Sequence, residues 1–152
     1  MKSRVPGDVL LGWLPAAAGL LILANDFGLR RWHPGFLSGK LSDIGICFLF
    51  PVVLVALWQW MSFALCWVLR RTWKPSGRYV HVASCVVAAA YYSAMEMLPG
   101  FGGLHKLVLS TIFPFTRFRS GTPDPTDLVA LVMIPMSLLY LRRREGVVMG
   151  KD

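Results

Sequence analysis

Charge is what this chain has least of. Asp, Glu, Lys and Arg make up 16% of its 152 residues, where a soluble domain carries about 25%. Hydrophobic residues make up 55%, and the mean hydropathy is +0.55. This balance excludes an ordinary soluble enzyme. It predicts an integral membrane protein, one domain over residues 1–152, with no room for a separate soluble module. Acids are scarcer still, 8 against 16 Lys and Arg, for a net charge of +8. In a soluble protein that excess would suggest nucleic acid. Here the cations flank apolar runs, so they read as topology signals and contacts to anionic lipid, and no nucleic-acid partner is expected. Cysteine is nearly absent. Cys47, Cys66 and Cys85 each lie inside an apolar run without metal-ligand spacing, and read as buried apolar thiols. The chain has no Gly-rich phosphate loop, nucleophile elbow or zinc-protease helix.

What is present is a series of long apolar runs. Residues 9–29 form the first, rich in small residues (Gly12, Ala16, Ala17, Ala18, Gly19) that allow close helix approach. A cleaved signal peptide is disfavoured because the run continues past its small-residue site to Ala24. A second span covers residues 41–69, with a kink expected at Pro51 and Trp58, Trp60 and Trp67 toward its far end. A third covers 79–98, with Ala88, Ala89 and Ala90 suited to close packing. A fourth covers 125–141, with a kink at Pro135 and a stop at Arg142-Arg143-Arg144. Between the last two, residues 104–118 have the pattern of an amphipathic helix in the interface or re-entering it. The predicted fold is therefore all-α: a four-helix membrane bundle with one interfacial or re-entrant amphipathic segment. Counting cations places ten on the side of the termini and six on the other, so both termini are expected in the cytoplasm.

The polar residues are distributed unevenly. Four spans bring the ends of the first and third helices to the same face as the starts of the second and fourth. Asp26 ends helix one, Lys40 and Asp43 open helix two, Glu96 lies in the last turn of helix three, and Asp124 and Asp127 open helix four. His33 and His105 lie in the connections, with Arg117 and Arg119 close by. Five of the eight acids thus gather on one face, and ionisable groups at membrane depth are usually paired or functional. Helix capping could explain Asp43, Asp124 and Asp127 one at a time. It cannot explain Asp26 or Glu96, whose charge opposes the helix dipole. Those two need a cation, and Lys40, Arg117 and Arg119 are available. An ion-pair network that merely holds the helix ends is the plain alternative to a binding site. A metal held by His33, His105 and carboxylates lacks supporting local spacing, and neither metal nor cofactor is expected. His81 reads as interfacial, and Tyr91 and Tyr92 as packing.

The order of these features resembles the VanZ-like family of small bacterial membrane proteins. The matching stretches are Gly39-Lys40-Leu41-Ser42-Asp43, then Glu96, then Arg119 with Asp124-Pro125-Thr126-Asp127. The resemblance covers roughly residues 38–140 and implies a cell-envelope setting in a bacterial inner membrane. The Gly-Lys-Leu-Ser-Asp stretch also resembles one in uncharacterised bacterial membrane proteins. The leading expectation is that the outward-facing cluster of Asp26, His33, Lys40, Asp43, Glu96, His105, Arg117, Arg119, Asp124 and Asp127 binds a lipid head group or an envelope component. Membrane lipids, a second copy or another membrane subunit are the expected partners. Two alternatives stand beside it: a membrane enzyme or proton-coupled transporter using Glu96 or Asp43, and a scaffold subunit of a membrane complex.

Overall fold

The computed structural model describes residues 5–29, 32, 36–98, 100–112 and 125–149. All regular structure among them is helical, and no strand is present. A 3-10 turn, Asp8–Leu10, leads into α1, Trp13–Ala24, which ends in a π-helical turn, Asn25–Leu29. The long α2, Phe36–Val68, follows, then α3, Arg78–Met97, and the short α4, Phe101–Ile112. A 3-10 stretch, Pro125–Val132, runs directly into α5, Met133–Met149. The centre of the fold is α2, on which α1, α3 and α5 all pack, and α3 also packs on α5.

Three helix boundaries differ from the sequence reading. Helix one starts at Trp13 rather than at residue 9, because Asp8–Leu10 is wound into a separate 3-10 turn. Even with the π turn, its 17 residues reach only about 25 Å at 1.5 Å per residue. Helix two starts at Phe36, five residues earlier than expected. Arg142-Arg143-Arg144 do not stop the last helix, which continues to Met149. Cations favour a helix C-terminal half through the macrodipole, so three arginines need not end one. Pro135 falls in the first turn of α5, just past the 3-10 stretch. Proline lacks the N–H that would continue the bonding of the 3-10 stretch, and it stands where the winding changes to α. Among the described residues, Lys40–Val68 alone is long and apolar enough to cross a membrane, or a second span joins it if α3 and Phe101–Leu107, bent by 113°, are counted as one.

Two apolar clusters hold the bundle. Val9, Phe48, Val52, Val55, Tyr140 and Leu141 form one, and Cys47, Cys85, Ala88, Tyr92, Ala130 and Ile134 the other. The α3 contribution recurs at helical spacing: His81, Ser84, Cys85, Ala88 and Tyr92 are buried on one face. His81 is thus inside the bundle, not interfacial, because its position completes that inward stripe. Cys47 and Cys85 are buried as expected, whereas Cys66 is only partly covered; all three are free thiols. The small residues of α1 are used selectively. Tight contacts are made at Gly12, where an added Cβ would meet the Tyr140 hydroxyl, and at Gly45 of α2, where it would come within 2.7 Å of Ile22 Cγ1 and 3.3 Å of the Ala18 carbonyl, while Gly19 has nothing within 4 Å. Trp58, Trp60 and Trp67 point outward near the end of α2.

The end of the bundle that holds the termini is tied by buried polar groups. The Gly7 N–H donates to Gln59 Oε1 at 2.9 Å, and Gln59 Nε2 donates to Ser76 Oγ at 3.0 Å. The Tyr140 hydroxyl donates to the Val9 carbonyl at 2.7 Å and accepts from Arg144 Nε at 3.2 Å. One side chain on α2 and one on α5 thereby fix the N-terminal segment and the loop before α3.

Candidate functional site

The opposite end carries the candidate site. Lys40, Asp43 and Cys47 succeed one another on α2 at three- and four-residue spacing, so they share a face. Since α2 begins at Phe36, Asp43 lies about two turns inside the helix and is not an N-cap. That face meets the start of the 3-10 stretch. Lys40 Nζ donates to Thr126 Oγ1 at 2.6 Å and forms an ion pair with Asp127 Oδ1. The side chains of Lys40 and Asp127 are 19% and 21% exposed, so the pair is largely covered yet open to one side. Pro125 does occupy the first helical position, but the Asp127 carboxylate is engaged across the bundle by Lys40.

A second polar seam joins α1 to α2. Asn25 Nδ2 donates to Ser42 Oγ at 2.7 Å, and the Ser42 hydroxyl donates onward to Asp26 Oδ1 at 2.9 Å. Asn25 is fully buried and Ser42 nearly so. The π turn supplies two consecutive polar residues to the α2 face. Such turns widen a helix locally and are frequent at functional sites. The Ser42 hydroxyl thus serves the Asp26 carboxylate through a charge-assisted hydrogen bond.

Tyr92 and Glu96 bring α3 into the same region, four residues apart on one face. The Tyr92 hydroxyl is directed at the Asp127 carbonyl, 3.5 Å away. The charges of Asp43, Glu96 and Asp127 all fall within electrostatic reach of that hydroxyl, and those of Asp43 and Glu96 also reach the Cys47 thiol. Tyr91 faces the other way. Its hydroxyl is hydrogen-bonded to His105 Nδ1 on α4, and its ring meets Phe50, Phe101 and His105 edge-on. Reading both tyrosines as packing therefore missed their polar ends. The available signal was spacing: Tyr92 lies one turn before Glu96.

Of the residues singled out in the sequence, Lys40, Asp43, Glu96 and Asp127 converge around Tyr92, Asp26 joins the adjoining seam through Ser42, and His105 pairs with Tyr91. His33, Arg117, Arg119 and Asp124 lie outside the described residues. Among the described residues no three of His, Cys, Asp and Glu are grouped as metal ligands would be. The arrangement is a mixed-sign polar cluster at one end of the bundle: one ammonium bridged to Asp127, and three carboxylates within electrostatic reach of a buried phenol. Comparison with protein-family models, curated proteins and solved structures gave no match.

Proposed function

We propose that the chain is an integral membrane four-helix bundle, with α4 lying at the interface, whose polar end binds a lipid head group or another polar component of the cell envelope. The observation that carries the reading is the part-exposed Lys40 bridge to Thr126 and Asp127. It sits beside Asp43, Glu96 and Tyr92 where the apolar bundle ends. An ammonium in that position can exchange its carboxylate partner for a ligand phosphate or carboxylate. The outward-pointing surface of α2 favours lipid as its surroundings: Leu57, Trp58, Trp60, Met61, Leu65 and Trp67 are all exposed. The sharp turn from α3 into α4 suits a helix that leaves the membrane core for the interface, held there by Tyr91 and His105. Membership of the VanZ-like family and residence in a bacterial inner membrane, with both termini cytoplasmic, are part of the same proposal.

Two experiments test it. Single cysteines at Ser38, Gly103 and Ser76 in a Cys-free background are treated with an impermeant reagent on whole cells. Labelling at Ser38 and Gly103 but not Ser76 is expected, and the reverse pattern inverts the topology. Correctly inserted Lys40→Ala protein is then expected to bind anionic lipid vesicles more weakly than the parent; equal binding removes the role given to Lys40. A second reading, proton relay, is favoured by one observation, the buried Tyr92 hydroxyl among Asp43, Glu96 and Asp127. It requires one of those carboxylates to titrate near neutral pH, and ionisation of all three below about pH 5 eliminates it.

A further inference from the structure

A groove of about 450 Å³ runs along the outside of the bundle, away from the polar cluster. Its floor is α2 at Ile44, Gly45 and Phe48, and its walls are α1 and α5. The groove exists because both walls pack on α2 but make little contact with one another. Along α5 it extends from Met133 to Arg143. Ten residues of helix measure about 15 Å, and half of a hydrocarbon core of about 30 Å is the same length. The lining is apolar except at one end, where Tyr140 and Arg143 lie. The Tyr140 hydroxyl is already committed to the Val9 carbonyl and Arg144. Arg143 is exposed.

We propose that this groove holds one acyl chain of an anionic phospholipid from the leaflet at the terminal side of the bundle, with the lipid phosphate on Arg143. Length, apolar lining and a cation at the mouth match that one ligand at three points. A polar ligand would find no side-chain donor or acceptor between the ends of the groove. The proposal rests on the membrane reading above but not on the polar cluster. The charged residues of the two sites are separated along the chain: Asp127 precedes α5, whereas Arg143 lies past its middle.

The test uses full-length protein extracted from membranes in mild detergent and native mass spectrometry with added phosphatidylglycerol or phosphatidylcholine. The parent is expected to retain phosphatidylglycerol in preference. Arg143→Gln, a change at an exposed position, is expected to reduce that preference about fivefold, the effect of one cation at an anionic surface. Ala17→Phe and Met136→Phe fill the groove from opposite walls and are expected to lower binding of both lipids, with helix content unchanged by circular dichroism. If Arg143→Gln and whichever filled variant folds retain phosphatidylglycerol as the parent does, the proposal is overturned. It is equally overturned if the filled variants change only the oligomeric state, which would make the groove a seam between copies. Release of the protein from membranes by alkaline carbonate would overturn the membrane reading itself. Retention in the membrane without lipid preference overturns the groove proposal alone.

Discussion

Replacing Lys40 with Met isolates the worth of the bridge between α2 and the start of α5. The substitution keeps the length of the side chain and removes the ammonium, leaving the Asp127 carboxylate about one-fifth exposed without this cation. At an effective dielectric near 20, two charges in contact attract by several kcal/mol. Desolvation of both groups offsets most of this, so the pair itself contributes little net stability. Removing one partner is different, because the desolvation cost of the remaining charge stays. With partial exposure and the Thr126 hydrogen bond also lost, Lys40→Met should cost about 1–3 kcal/mol. Asp127→Asn in the Lys40→Met background removes the stranded charge and should recover at least half of the loss. The assay is reversible unfolding in mixed micelles for the parent, both single variants and the double variant, read as a double-mutant cycle. A coupling energy below about 0.5 kcal/mol would refute the reasoning, since additive effects mean that the two charges do not share a covered site.

Three further outcomes follow from the same structure. Gly45→Ala places a Cβ 2.7 Å from Ile22 and should destabilise by about 1–3 kcal/mol, whereas Gly19→Ala, with open space around it, should stabilise by about 0.5–1 kcal/mol; paired melting temperatures read the opposite signs. Gln59→Leu deprives both the Gly7 N–H and Ser76 of their buried partner and should cost about 1–3 kcal/mol, with amide exchange at residues 7–11 rising more than at α3; unchanged exchange there would mean that Gln59 does not anchor the N-terminal segment. Tyr91→Phe removes the hydroxyl bonded to His105 but keeps the ring contacts, so exchange over residues 101–112 should rise severalfold while α3 is unaffected. Equal protection in the variant would show that the ring contacts alone hold α4.

Periodicity and composition by themselves determined the helical class and the stretches of chain in which most of the described helices lie. These depend on local spacing and on the cost of burying charge, which a sequence states directly. Sequence also located Lys40, Asp43, Glu96 and Asp127 at one end, because alternating direction along a bundle needs only the count of spans. The pairings were decided by tertiary structure. Lys40 reaches Asp127 across 87 positions, and that pairing depends on which helices are neighbours. The cap assigned to Asp43 failed because a helix start is set by a few residues of loop geometry, to which an apolar run gives no clue. His81 looked interfacial from its position near a helix start, and only the packing of the α3 stripe turned it inward. The groove at Arg143 was invisible in the sequence, because a gap between two helices is a property of what they both touch and not of either helix alone.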